Sequence, residues 1–236
     1  ELTRELGVRI ETVVAIDRIE RRQAGHAIRY RAGESARSVH AEVVANGAGR
    51  VASLADLDLG AAGITLEGGR IELDAFLRSV ENPDVFFAGD AIPGRPQLSP
   101  VATYEGRVVG HNLTHDELRP APYVHHLAAV YPVPALPRVG YVEQAADRAG
   151  LDFDVRTHDM TSWRSARTHG ETVAWAKVLI ENGTDRILGA HLLGHGAEET
   201  IHTFALAIET GMRAAEIAER VYAAPPLHAD LKYVVW

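Results

Sequence analysis

An α+β fold, with an antiparallel sheet and flanking helices in the carboxyl-terminal part, is predicted by three features of this 236-residue sequence. Two apolar runs of strand length, VAWAKVLI and RILGAHLLG, flank ENGTD, whose Asn182-Gly183 pair is a strong hairpin signal because both residues tolerate positive φ. The segment GAEETIHTFALAIETG then sets Ile201, Phe204, Ala205 and Ile208 on one helical stripe and meets a stop at Gly211. Near the other end, GVRIETVVAIDRIE and HAIRYRAG alternate with roughly period two, as half-buried strands do.

In chain order, ELTRELGVRI reads as the end of a helix entering a strand, so the chain is expected to begin in mid-domain. Glu1 in place of Met fits a piece of a longer protein. After the two alternating segments, VHAEVVANGAG is expected to be a buried strand ending at glycine. In IELDAFLRSVENPDVFFAG a polar turn, Glu81 to Asp84, precedes a short apolar strand, Val85–Ala88, which Gly89-Asp90 closes. From Pro100 onward Val101, Tyr104, Val108 and Leu113 fall at near-helical spacing. The proline-rich stretch Arg119 to Pro137 marks a boundary, since repeated prolines remove backbone donors. Beyond it come a strand and helix in RVGYVEQAADRAG, a strand in LDFDVRTHDM, the hairpin, the long helix, and a further helix in AAEIAERVYA.

Composition narrows the function. Hydrophobic residues at 46% and charged residues at 24% suit a globular chain. A net charge of −8 argues against a nucleic-acid partner, which calls for a basic stripe. There is no apolar run of membrane-spanning length and no signal-peptide pattern, so no membrane association is expected. Zero cysteines remove disulfides, thiolate metal sites and thiol redox chemistry from this chain, and a reducing cytoplasmic location is the default. The serine-hydrolase signature G-x-S-x-G is absent.

The stretch FFAGDAIPGRPQLSPVATYEGR carries the best functional signal. Glycine allows close backbone approach to a ligand, and a carboxylate at the end of a strand accepts hydrogen bonds from sugar hydroxyls. The helix start at Leu98-Ser99-Pro100-Val101-Ala102 offers free N–H groups and a positive dipole end to an electron-rich oxygen. The same Gly-Asp pair also reads as an ordinary turn with Asp90 as its cap. A phosphate-cradling loop is missing: Gly194-His195-Gly196 has Glu199 where a third glycine is needed, and reads as a strand end and helix start. Among 12 histidines, His195 and His202 lie seven apart on one expected helix with Glu198 and Glu199 between them, while His125 and His126 are adjacent. None meets a standard metal-ligand spacing, so no metal site is assigned.

Taken in order, VVANGAGRVASLADLDLGAAGI, the Gly-Asp stretch, PRVGYVEQAA and KVLIENGTDRILGAHLLGHGAEETIHTFALAIETGM resemble the carboxyl half of class I pyridine nucleotide–disulfide oxidoreductases, the family of glutathione reductase, dihydrolipoamide dehydrogenase and mercuric reductase. The resemblance runs over essentially the whole chain. It implies an interface domain with an antiparallel sheet over 121–236, preceded by partial α/β nucleotide-binding domain segments: the end of an NAD(P)-binding domain over 1–48 and the return segment of an FAD-binding domain over 49–120. It implies FAD as cofactor, NAD(P)H as hydride donor of the full-length parent, and a homodimer through 121–236. Gly89 and Asp90 inherit the flavin-ribityl position, Leu98, Ser99, Pro100, Val101 and Ala102 the helix start at the flavin's pyrimidine edge, and Arg50 a position near the cofactor. The family's closing His-Pro-Thr-x-x-Glu motif is replaced in YAAPPLHADLKY: Ala224 stands at the histidine and Ala229 at the glutamate, so no catalytic residue is assigned. The expected function is the carboxyl-terminal portion of an FAD-dependent oxidoreductase. The alternative is a non-catalytic dimerisation module, and the isolated chain is expected to be inactive either way. Unpaired sheet edges in 1–120 lead to the further expectation that this part is less ordered than 121–236.

Overall fold

Alternating residues near the amino terminus form an antiparallel meander of β1 (Val14–Arg21), β2 (His26–Ala32) and β3 (Ser35–Ala41) in sequence order. The computed structural model describes residues 6–121, 127–224 and 226–236, and divides the chain into two units, Glu1–Ser53 and Leu54–Trp236. Within β1–β3 only Ala27 and Tyr30 are buried. The expected buried strand in VHAEVVANGAG is corrected: β3 ends at Ala41, and Val43 is exposed. Ser35, Arg37 and Ser38 deny β3 a continuous apolar face, so it has nothing to bury. The helix end expected in ELTRELGVRI falls largely on residues 1–5, outside the described residues, and Leu6 and Gly7 form a turn.

The second unit opens with an irregular segment held by turns. Asp74 accepts hydrogen bonds from the backbone of Phe76 and Arg78 at 2.8 and 3.0 Å and from Arg78 Nε at 2.8 Å. Burial opposes its ionisation most strongly, yet the bonds from Arg78 and Phe76 together win and hold its carboxyl below the ordinary range. The strand expected over Val85–Ala88 is corrected to a single bridge between Phe86 and Arg78, flanked by hydrogen bonds from Ser79 N–H to Val85 and from Phe87 N–H to Leu77. Leu77, at φ +69°, bends the facing segment, so the ladder cannot extend.

Helix α1 (Ser99–Asn112) follows, with Pro100 in its first turn, where a missing N–H costs nothing. The expected stripe is corrected by one residue: Glu105, Val108 and Asn112 are the buried positions, while Tyr104 and Leu113 are exposed. Polar residues face inward because loops pack there. Asn112 donates to the carbonyls of Phe76 (3.2 Å) and Arg119 (2.9 Å) and accepts the Arg119 N–H at 2.7 Å.

A five-stranded antiparallel sheet, in the order β4-β5-β8-β7-β6, fills the remainder: β4 (Ala128–Val130), β5 (Leu136–Gly140), β6 (Phe153–Asp159), β7 (Trp175–Glu181) and β8 (Ile187–Leu193). The proline-rich stretch Arg119 to Pro137 carries sheet structure, since β4 and the start of β5 lie inside it. Pro137 faces the edge strand β4, and pairing of β5 with the central β8 begins only at Arg138, so the prolines spare the inner ladder. Residues 122–126 of that stretch lie outside the described residues.

Short helices α2 (Glu143–Arg148) and α3 (Arg164–His169) connect strands, and α4 (Ala197–Glu209) packs across β5 and β8. Ile201 and Phe204 of α4 are fully buried against Val139, Val178, Ala190 and Leu192, the core expected from the apolar stripe. Close approach of strand ends requires glycine: a Cβ on Gly189 would lie 2.2 Å from the Tyr141 carbonyl oxygen. Helix α5 (Ala214–Ala218) is shorter than expected, because the Tyr222 hydroxyl donates to the Ile217 carbonyl at 3.0 Å and ends it. A last turn, α6 (Leu231–Val234), closes the core through Leu231 and Val234. Among the described residues no helix is long and apolar enough to cross a membrane.

Candidate functional site

The Gly-Asp pair lies in a 3₁₀ turn, Gly89–Ala91, that the chain enters from an extended Ala88. Gly89 has φ +63°, and a Cβ there would sit 2.9 Å from the Ala102 Cβ, closer than real side chains pack. Glycine is therefore what lets this turn rest on the first turns of α1. Three residues beyond Ala102, the fully buried Glu105 accepts the Gly89 N–H and, at 3.3 Å, the Arg95 Nη1 donor. One carboxylate thus holds the loop 89–98 at its start and in its middle.

This brings half-buried Asp90 to the amino-terminal end of α1. Leu98, extended at φ −124° and ψ 134°, precedes the helix, and no side chain caps it. Ala102 N–H already reaches the Leu98 carbonyl at 3.0 Å, so Ser99 and Val101 are the first-turn residues whose N–H groups have no helical acceptor. Pro100 has none to offer. Ser99 and Pro100 are exposed, and Leu98, Val101 and Ala102 are half-buried. Chemically the site pairs a carboxylate acceptor with backbone donors at the positive end of a 14-residue helix.

The structure brings Gly89, Asp90 and Leu98–Ala102 together. Arg50 is exposed and belongs to the other unit, Glu1–Ser53. Sequence reasoning missed Glu105 and Arg95. A signal existed, since Glu105 lies three residues before Val108 and so on its apolar side of the helix.

At the two positions where the resemblance expects acid and base, Ala224 is exposed and Ala229 half-buried; Pro225 lies outside the described residues. Nearby His228 contacts the Thr200 hydroxyl through Nδ1 at 3.2 Å. That hydroxyl donates to the Gly196 carbonyl at 2.8 Å, so it accepts from His228 Nδ1–H. The helical pairing of His195 with His202 is corrected: Gly196 is the residue before α4, which leaves His195 outside the helix, its ring stacked on His169 at 3.9 Å. Gly194-His195-Gly196 does end β8 and lead into α4. His125 and His126 lie outside the described residues. Among the described residues no group of three or more His, Asp or Glu side chains is arranged to hold a metal ion.

The family model described as pyridine nucleotide-disulphide oxidoreductase matches residues 1–106, and that described as its dimerisation domain matches 127–234. An uncharacterised 19.7 kDa protein in a mercuric resistance operon of Staphylococcus aureus is 34% identical over 181 residues, which cover 73% of this chain and 100% of that protein. Dihydrolipoyl dehydrogenase of Geobacillus stearothermophilus is 31% identical over 227 residues, covering 94% of this chain and 47% of the enzyme. The crystal structure of LpdA from Mycobacterium tuberculosis superposes with a TM-score of 0.84 at 20% identity over 99% of this chain and 50% of that one, a likeness of fold. The chain therefore spans about half the length of the dehydrogenase and of LpdA, and all of the mercuric-operon protein.

Proposed function

Because the chain belongs to the pyridine nucleotide–disulphide oxidoreductase family, we propose that it is the carboxyl-terminal portion of an FAD-dependent NAD(P)H oxidoreductase, supplying part of the flavin site and a homodimer interface. The observation that carries the flavin reading is the Gly89 turn, where the space for a Cβ is taken by Ala102 and the backbone is fixed by Glu105. The residues present fit FAD: Asp90 offers an acceptor to ribityl hydroxyls, and Ser99 and Val101 offer N–H donors to a ring carbonyl oxygen. A bound flavin supplies hydride acceptance from the nicotinamide. This chain's residues bind and orient it. Arg50 is assigned a place near the cofactor by the family resemblance.

The segments divide as 1–48 for the end of an NAD(P)-binding domain, 49–120 for the FAD-binding return segment, and 121–236 for dimerisation. Support for the first limit is the unit boundary after Ser53, and for the last the dimerisation-domain match over 127–234. A reducing cytoplasm is the assigned location, consistent with zero cysteines. A second reading, a non-catalytic dimerisation module, is favoured for the chain by itself: Ala224 and Ala229 carry no titratable group, and the chain has no thiol.

The test combines sedimentation of the 236-residue chain with flavin-fluorescence titration. The expected result is a dimer with weak, saturable FAD binding that Gly89→Val abolishes. Equal binding by wild type and Gly89→Val overturns the flavin assignment, and a monomer at all concentrations overturns the interface.

A further inference from the structure

A cavity of about 470 Å³ near the carboxyl terminus of the second unit is lined by His158, Trp163, Arg164, Asp230, Tyr233 and Trp236. None of these residues belongs to the flavin-edge site. Trp163 and Tyr233 meet edge to face with centroids 6.0 Å apart, and His158 leans on Trp163 at 5.6 Å. Three aromatic surfaces therefore border one space.

Asp230 is the unusual member. It ends the 3₁₀ turn Leu227–Asp230 that runs directly into α6, in a helical conformation at φ −92° and ψ −8° from which its side chain makes no cap hydrogen bond. The residue is 8% exposed, and its Oδ2 is closed off from water with no donor within reach. His158 Nε2 is buried without a partner in the same lining. An unpaired buried carboxylate oxygen is costly, and native structures retain few such atoms without a use.

The neighbouring cations do not supply the missing donor. Arg164 is exposed and forms no ion pair with Asp230 among the described contacts. Lys232 places Nζ 4.8 Å from the centroid of the Tyr233 ring, and Arg156 Nη1 donates to the Val235 carbonyl at 3.4 Å. A metal ion finds too few ligands here, since the lining offers one carboxylate and one imidazole. An anion would face the Asp230 charge. What the cavity complements is a cation with an apolar body, the kind of ligand that aromatic faces and a single carboxylate recognise together.

We propose that Trp163, Tyr233, Trp236 and Asp230 form a binding site for a small organic ammonium ion: its entry shifts the exposed Tyr233 and Trp236 rings and opens Asp230 Oδ2, which accepts the ammonium N–H while the alkyl or aryl part lies among the three rings. Tyr233 and Trp236 are more than half exposed and are the walls free to adjust as the ligand enters. Arg164 stands at the rim, where water screens its charge. The site is independent of the flavin reading, so either can fail alone.

Two of the chain's three tryptophans, Trp163 and Trp236, line the cavity, so intrinsic fluorescence reports on it directly. The full 236-residue chain is titrated with 2-phenylethylamine and with 2-phenylethanol, its uncharged counterpart of the same shape. Saturable fluorescence change with the amine, and binding of the alcohol weaker by about tenfold or more, is expected, since a charge-assisted hydrogen bond is lost. Asp230→Asn brings the amine down to the level of the alcohol. If Asp230→Asn fails to fold, Tyr233→Leu, at an exposed position, weakens the amine several-fold with the carboxylate intact. Equal affinity for amine and alcohol, no saturation with the amine, or an unchanged response in Tyr233→Leu overturns the proposal. So does a fluorescence change that follows protein concentration rather than amine, which assigns the cavity to a second copy of the chain.

Discussion

The meander and the five-stranded sheet are both antiparallel, and each carries one register irregularity, between Ile16 and Arg18 in the meander and between Leu179 and Ile180 in the larger sheet. They differ in what lies across their faces. Helix α4 lays Ile201 and Phe204 on the five-stranded sheet, and Val139, Val178 and Leu192 beneath them are fully buried. The meander buries Ala27 and Tyr30, and its β1 residue Ile16 is 62% exposed. Hydrogen-bonded ladders alone give a small sheet little independent stability, and the covering layer supplies most of it.

Phe204→Ala is the strongest way to break this comparison. The expected loss is about 3–5 kcal/mol, because a fully buried aromatic leaves a cavity that a sheet-and-helix sandwich cannot close. Ile16→Ala, on the meander, is expected to cost about 0.5 kcal/mol or less. Urea unfolding of both variants measures the difference, and native-state amide exchange in the wild type is expected to protect β7 and β8 well beyond β1–β3. Equal losses, or equal protection, would mean that the meander draws on a packing layer that its exposure does not reveal.

Between these extremes lies the segment from Leu54 to Ala121, poor in regular strands and fastened by buried polar groups. Glu105 is its clearest fastener. Glu105→Ala removes the carboxylate that accepts from the Gly89 N–H and from the Arg95 guanidinium, an effect of about 1–3 kcal/mol after allowing for the partial exposure of Arg95. Faster amide exchange is expected across residues 89–98, with exchange in β7 and β8 unchanged. Uniform acceleration across the second unit would show instead that the segment and the sheet unfold as one.

The hairpin and α4 are legible because local chemistry and burial agree: Asn182-Gly183 sits in a turn, and the apolar stripe of α4 meets a covered face. The errors fell where tertiary demand overrides local pattern. Val85–Ala88 looked like a strand, but the positive φ of Leu77 on the facing segment limits it to one bridge. Tyr104 looked inward by hydrophobicity, yet Glu105 took that place because a loop's backbone needed an acceptor there. Of the flavin-edge residues, Gly89, Asp90 and the helix start were readable from a strand-Gly-Asp-loop-helix order. Glu105 required knowing which N–H groups the fold leaves unsatisfied, and that knowledge lives in the packing.

The comparison also has a pH dependence, smaller than the other effects. His191 on β8 is half-buried, and burial is the main force pushing its pKa below the ordinary value of 6.5. The hydrogen bond from Nε2 to the Tyr141 carbonyl at 3.1 Å partly opposes that, and the charges of Lys177 and Arg138 reinforce it. A base whose pKa is lowered on folding resists a proton that the unfolded chain accepts. Stability is therefore full above about pH 6.5 and declines as the pH falls from there through the lower native value. Asp74 loses its contribution in a separate window, below the ordinary aspartate value near 3.8, so the two are separable by pH. His191→Gln is expected to flatten the decline between pH 7 and 5, by less than about 1 kcal/mol because the site is partly screened by water. The β1–β3 meander is expected to contribute little to this decline. Urea midpoints of wild type and His191→Gln at both pH values measure the effect, and an unchanged slope would place the titration on another of the chain's histidines.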